Sequence, residues 1–492
     1  MTEGFGCAFI SFPSIPNLTQ PNPTQPNRIF FEMKRYLYVE WQDPAYGMQY
    51  AHIHERFVNA LLSEPSGYAL WDDIRRQIEL VTQLGAVKRE LGSLRTAMKK
   101  EERLHELLSE SGLCGELASL RLPLPLDPTV LLTGMPERRM SVHTSNPPSP
   151  PPPPSLLPSD TPSFLPSFIH SFTLPSSPTG IIPGESTVFR SALTPLRLTF
   201  RTAATAKASF SSFGDDGFGL GDTKPRADKY SIIFKKGDDL RQDQLIVQMI
   251  QLMDKLLKED GLDLKLTPYK VLATASGRDA SDSVGLLECV PHVLNISKVL
   301  EKYRDIRRFL ANYHPHPHHP NQVNEEILRT FIKSCAGYCT ITYILGVGDR
   351  HLDNLMLTRD GRLFHIDFGY ILGKDPKPFP PPMKLCKEMV EAMGGANSSS
   401  YRQFQSYCCE AYNILRKSAN LFLNLFQLMV DARIPDISSD PEKAMLKLQE
   451  KFRLDLNDEE AMQWMQKLIN DSASALMPQV METAHRWATY WR

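Results

Sequence analysis

Proline placement limits what this chain can fold into more than any other feature. Of 39 prolines in 492 residues, 13 fall between Pro147 and Pro183, and within 141–184 Asp160 is the sole charged side chain. Proline offers no N–H to a ladder and clashes inside a helix, so this tract can be neither a helix nor a central strand. The run Pro150–Pro154 favours a polyproline II rod. The tract reads as a linker or insert, with a PxxP ligand for an SH3-type module as the alternative. It divides the chain into two unlike parts.

On its N-terminal side, residues 1–29 are rich in Pro, Asn and Thr and read as a disordered tail. From about Ile29 to Leu120 the pattern is helical. Tyr50, His54, Phe57, Ala60 and Leu61 recur at three- and four-residue steps, as do Leu80, Val87 and Leu91. Lys88 to Glu106, highly charged with sparse leucines, reads as one solvated amphipathic helix. Beyond Thr187 the chain turns β-rich. TVFRSALTPLRLTF, YSIIFKK, YKVLATA and VGLLECV read as strands, with a helix over Leu240–Leu257 between the second and third. From Asn295 helices dominate, broken by a loop-rich stretch from Gly346 to Leu385. The expectation is an α+β, two-lobed architecture with a cleft between the lobes.

Composition removes other classes. A hydrophobic share of 42% beside 23% charged is ordinary globular usage. Lys+Arg 55 against Asp+Glu 56 leaves no global basic field for a nucleic acid. The eight cysteines form no CxxC pair, which suits a reduced, intracellular protein. No apolar run is long enough to span a bilayer, and the acidic start makes a poor signal peptide.

Chemistry concentrates in Gly348-Asp349-Arg350-His351-Leu352-Asp353-Asn354, followed after twelve residues by Asp367-Phe368-Gly369. Phosphoryl transfer needs a positioned proton acceptor for the attacking hydroxyl and hard oxygen ligands for the nucleotide's metal. His351 or Asp349 can take the proton, and Asn354 and Asp367 can supply the oxygens. Phe234-Lys235-Lys236-Gly237 ends a strand with a lysine able to meet a phosphate. Alternation favours Lys235, with Lys236 pointing away.

The segments FKKGDDLRQDQ, TPYKVLA, SCAGYCTITYILGVGDRHLDNLML and LFHIDFGYILGKDPKPFPPPMKL resemble the kinase domain of class III phosphatidylinositol 3-kinases. The match runs from about Thr187 to Arg492, with a weaker one over about Arg28 to Asp127. The resemblance implies a lipid/protein-kinase-like catalytic domain preceded by a remnant of an all-α helical domain. The expected divisions are a tail over 1–29, the end of the helical domain over 30–127 and a linker or insert over 128–186. The kinase N-lobe would span 187–290, and the C-lobe with a terminal amphipathic helix 291–492. ATP with Mg2+ or Mn2+ would be the cofactors.

The resemblance also assigns roles. Lys235 would bind nucleotide phosphates beneath a covering loop that holds Ser191. Asp243 and Tyr269 would line the inner end of the adenine pocket, and Leu287 would fall where backbone meets the adenine edge. Asn354 and Asp367 would hold metal, and His351 would be the base with Asp349 its partner. Arg350 would keep the loop in shape.

In the segment after Asp367, where class I relatives cluster basic residues, only the separated Lys374, Lys377 and Lys384 stand. Recognising extra ring phosphates needs closely placed Arg or Lys, so unphosphorylated phosphatidylinositol is the expected substrate. Val480, Ala484, Trp487, Ala488 and Trp491 share a helical face that suits either a membrane surface or the protein's own core. The resemblance favours Trp487 and Trp491 as membrane contacts. It further implies a protein-kinase-like regulatory subunit, a coiled-coil Beclin-type subunit, and work on endosomal and autophagic membranes. The family's N-terminal membrane-binding β-sandwich and most of its helical domain have no counterpart here, so the chain is expected to be truncated.

Weaker signals have plainer readings. Gly217 to Gly221 imitates a phosphate loop without the following helix. His314 to His319 reads as a low-complexity loop, and Cys335 and Cys339 as core residues. The competing functions are a protein kinase of the related giant class and a non-catalytic assembly subunit.

Overall fold

The computed structural model describes residues 47–109, 122–126, 131–132, 180–202, 229–275 and 283–474, except positions 64, 192, 378, 379, 382 and 433. The Pro-rich tract through residue 179, Gly217–Gly221, Trp487 and Trp491 lie outside the described residues.

Helices α1 (Gly47–Leu61), α2 (Pro65–Gly92) and α3 (Ala97–Leu108) come first. The stretch expected as one solvated helix is in fact two. It breaks after Gly92, and the Thr96 side chain caps α3 by accepting the Lys99 N–H. It is not all solvated either, because Leu91 and Leu104 are buried, as are Leu107 and Leu108 just beyond it.

These leucines face an antiparallel five-stranded sheet of β1 (Thr187–Val188), β2 (Leu196–Arg201), β3 (Lys229–Lys236), β4 (Val271–Ala275) and β5 (Val284–Glu288). Its order is β1-β2-β3-β5-β4. TVFRSALTPLRLTF gives two strands, since Ser191–Pro195 turns back between them, with Thr194 N–H donating to the Ser191 carbonyl. Strand alternation then sorts the side chains. Leu198, Phe200, Ile232, Phe234, Leu272 and Leu286 point outward and share one buried cluster with Leu84, Val87, Leu104 and Leu107 of the helices. Ile233, Val271 and Leu287 point inward, toward α4 (Arg241–Glu259) and the core of the helical lobe.

That second lobe is built on α5 (Glu325–Ile344), whose residues are almost all buried from Phe331 onward. Around it lie α6 (Ser399–Lys417), α7 (Ala419–Leu428), α8 (Pro441–Phe452) and α9 (Asp458–Ser474). A small antiparallel sheet of β6 (Val293–Asn295), β7 (Leu355–Thr358) and β8 (Leu363–His365) lies at the junction. The fold is α+β and two-lobed, as expected.

The histidine run is a hairpin rather than a loop. Pro315–His316 pairs with His319–Val323, and His316 Nδ1 accepts the His318 N–H at 3.2 Å. Cys335 and Cys339 are buried in α5, as their spacing predicts. Among the described residues, no helix is long and apolar enough to cross a membrane.

Candidate active site

The β7–β8 hairpin sets the site. Leu355 pairs with His365 at its open end, so Asn354 and Ile366 meet just beyond, where Ile366 N–H donates to the Asn354 carbonyl at 3.1 Å. The two motifs, twelve residues apart in sequence, thereby become neighbours.

The Gly346–Asn354 loop is fastened to the segment after Asp367 through main-chain groups. Leu372 N–H donates to Leu345 O at 2.9 Å, Gly373 to Gly346 at 2.8 Å, and Gly348 to Tyr370 at 2.9 Å. The approach is too close for side chains. A Cβ at Gly348 would stand 2.1 Å from Lys374 O, and one at Gly346, where φ is +58°, 2.5 Å from Gly373 N. Asp375 Oδ2 accepts the Asp349 N–H at 2.9 Å.

Arg350 reinforces the same seam. Its guanidinium donates to Gly348 O at 2.6 Å, to Ile366 O at 2.9 Å and to the Asp367 carbonyl. Burial lowers its pKa, against the pull of Asp367 and Asp349. All three of these bonds end on main-chain carbonyls, one in the loop and two in the segment that leads through Asp367.

His351 is exposed, its Nε2 4.0 Å from Asp349 Oδ2 and its Nδ1 4.0 Å from Asp353 Oδ2. Neither distance is a hydrogen bond, so the ring keeps a nitrogen for a substrate hydroxyl. Asn354 is buried and donates Nδ2 to Asp349 O at 3.1 Å, which orients its amide and leaves Oδ1 as the oxygen for a cation. Asp367 has φ +63°, in the left-handed region.

From the opposite lobe come Lys235 and Asp243. Lys235 is on the inward face, as alternation predicts, across from Gly285, and its Nζ lies 2.8 Å from Asp238 Oδ2. Burial alone would lower its pKa, but Asp238, Asp243 and Asp367 together hold it above the ordinary lysine value. Asp243 accepts the Phe368 N–H at 3.1 Å. Burial, aided by Asp367 and Asp238, pushes its carboxyl up to about 6 despite that bond and Lys235. Tyr269 is buried nearby with its hydroxyl unpartnered, its pKa raised by burial and then by Asp243. Ser191 is exposed on the β1–β2 turn, whose Leu193 and Thr194 carbonyls accept from Lys88 of α2.

Three expectations change. Leu287 has sheet neighbours on both sides, Ile233 and Val271, so its backbone is within the ladder rather than at its edge. Glu288 N–H donates to Lys270 O and Cys289 N–H to Ser231 O, so the next two main-chain donors are engaged as well. Lys374 is half-exposed but already engaged, 2.9 Å from Asp436 Oδ1 and donating to Ser439 Oγ at 2.9 Å. Lys384 is largely enclosed, and burial lowers its pKa. Of the three lysines only Lys377 is exposed.

Sequence reasoning missed Lys88, Gln242 and Asp436. Lys88 looked like one charge among many, and nothing in the local sequence ties residue 242 to residue 436. Gln242 alone carried a signal, as the neighbour of Asp243 in the same helical turn.

The cation chemistry fits the donors present. Mg2+ takes one or two protein ligands and fills its remaining positions with water and phosphate oxygens, and Asn354 and Asp367 provide two hard oxygens. Among the described residues, no group of three or more His, Cys, Asp or Glu is arranged as a metal site of its own.

Residues 229–439 match the family model described as phosphatidylinositol 3- and 4-kinase. The chain is 48% identical over 470 residues to the phosphatidylinositol 3-kinase root isoform of Glycine max, covering 94% of this chain and 48% of that protein. It is 48% identical over 469 residues to phosphatidylinositol 3-kinase VPS34 of Arabidopsis thaliana, with the same coverage of 94% and 48%. Against phosphatidylinositol 3-kinase VPS34 of Saccharomyces cerevisiae it is 49% identical over 312 residues, 63% of this chain and 32% of that one. The chain spans about half the length of the first two of these relatives.

Proposed function

This chain belongs to the phosphatidylinositol 3-kinase family, and from that premise we propose that it transfers the γ-phosphate of ATP to the 3-hydroxyl of phosphatidylinositol. One observation supports the reading: the Gly348–Asn354 loop, Asp367 and the Lys235–Asp243 pair, distant in sequence, come together where the strand-rich lobe meets the segment after Asp367.

Lys235 grips the nucleotide phosphates under the turn that carries Ser191. Asn354 and Asp367 would hold Mg2+ or Mn2+, which when bound would neutralise charge on the transferring phosphoryl oxygens. His351 takes the proton from the attacking hydroxyl at a ring nitrogen. Asp349 and Asp353, each 4.0 Å away, orient the ring and offset the charge it gains. Asp243 and Tyr269 close the inner end of the nucleotide pocket. With Lys374 and Lys384 engaged internally, Lys377 remains for the headgroup, too little positive charge to hold a bisphosphate ring. The working site would be endosomal and autophagic membranes, met by Trp487 and Trp491. The partners would be a protein-kinase-like regulatory subunit and a coiled-coil Beclin-type subunit.

The test offers the purified chain ATP and Mg2+ or Mn2+ with phosphatidylinositol, its 4-phosphate, its 4,5-bisphosphate or a generic protein. Asp367→Asn, which tolerates the left-handed backbone, is the control. The expected result is product from phosphatidylinositol alone, at least about a thousandfold lower in the control at an unchanged melting temperature. Turnover of the bisphosphate or of protein overturns the substrate assignment, and a fully active Asp367→Asn overturns the metal role.

A further inference from the structure

The segment that carries Asp367 is held in a costly shape. Asp367 and Leu372, at φ +63° and +53°, are both left-handed without being glycine. Each such residue costs about 1–2 kcal/mol and persists only where its surroundings over-determine it. Something must fix this main chain, and two side chains outside both motifs do so.

Gln242, in the first turn of α4, is buried and donates Nε2 to the Phe368 carbonyl at 2.8 Å and to Asp436 Oδ2 at 3.1 Å. Its Oε1 accepts the Asp436 N–H at 3.4 Å. The Phe368 carbonyl can only accept, so the amide has one possible orientation. With Asp243 taking the Phe368 N–H, consecutive residues of one helix hold both main-chain groups of the residue after Asp367. Asp436 completes the arrangement from the single helical turn Pro435–Ser438: its Oδ2 also accepts the Ile371 N–H at 3.0 Å, and its Oδ1 faces Lys374 Nζ at 2.9 Å. Arg241 adds a bond to Ala432 O at 3.0 Å.

We infer that Gln242 and Asp436 form a latch that fixes the main chain from Asp367 to Lys374, and so aims the Asp367 carboxylate into the cleft. They are positioning residues that touch neither nucleotide nor lipid, and they bind the strand-rich lobe to the segment it must act with. The inference rests on the kinase reading for its purpose but not for its geometry.

The test measures amide hydrogen exchange on the full chain, together with Mn2+ affinity by electron paramagnetic resonance in the presence of ADP. Gln242→Glu sets a carboxylate against Asp436 and removes the donor to Phe368. Exchange over 366–374 should rise at least about tenfold there and little elsewhere, with Mn2+ affinity falling several-fold. Adding Asp436→Asn restores a donor–acceptor pair and should recover part of both changes. Unchanged exchange over 366–374, an increase spread evenly through the helical lobe, or a second substitution that deepens the defect would each overturn the latch. A wild-type chain that transfers no phosphate would sink the kinase reading, while exchange over 366–374 still decides the latch.

Discussion

Asp243 shows how much one residue in this site is asked to do. It accepts from Phe368, faces Lys235 and stays buried, with a folded pKa of about 6 against an ordinary value of 3.8. Between those values the folded protein holds a proton that the unfolded chain has lost. Its contribution to stability therefore falls as pH rises through that window and is fully unfavourable above about 6, on the order of 3 kcal/mol. Asp243→Asn keeps the acceptor for Phe368 and removes the charge. Denaturation midpoints from pH 4.5 to 7.5, without nucleotide, should show the variant gaining on the parent as pH rises and levelling off above 6. Parallel curves would refute the assignment. His351, Asn354 and Asp367 were legible in the sequence because short-range spacing sets their relation. Gln242 and Asp436 were not, since 194 residues separate partners that only tertiary packing unites.

Among elements, the junction between the catalytic loop and the segment after Asp367 is the most exacting. It is made of backbone, so its requirement falls on what is missing from Gly346 and Gly348. A methyl group at 348 meets the Lys374 carbonyl at 2.1 Å, and main chain cannot step aside as a flexible side chain would. Gly348→Ala should destabilise by about 1–3 kcal/mol and lower kcat by about a hundredfold through misplacement of His351. Gly85→Ala, in α2 with nothing within 4 Å, is the matched control and should stabilise slightly. Calorimetry and initial rates on the two variants decide the matter; equal behaviour would remove the steric argument. Strands and α4 were readable from period and composition, but the break in the Lys88–Glu106 stretch was not. Its signals, Gly92 and a Thr96 cap, are weak against so strong a helical run.

At the scale of the molecule, the helices ahead of the proline tract and the strands behind it are one structure. The outer face of the sheet has its cover in α2 and α3, and Lys88 reaches from α2 to the turn that holds Ser191. Removing residues 1–127 would bare six large sheet side chains, each contributing roughly 1.5–3 kcal/mol when covered. The total, on the order of 10 kcal/mol, matches the whole stability of an ordinary domain. A chain starting at residue 128 should therefore be insoluble or molten when compared by near-ultraviolet dichroism with the full chain, and a cooperative, folded product would show the cluster to be dispensable. This packing was not legible in the sequence, because no local pattern pairs Leu107 with Phe234. The arrangement also has a consequence in time. Translation at 5–20 residues per second puts Leu196, roughly ninety residues beyond Leu108, on the order of ten seconds after α3 is complete. For that interval each newly made chain carries an apolar stripe with no strand yet in existence to receive it, and nascent-chain chaperones have a defined window in which to hold it.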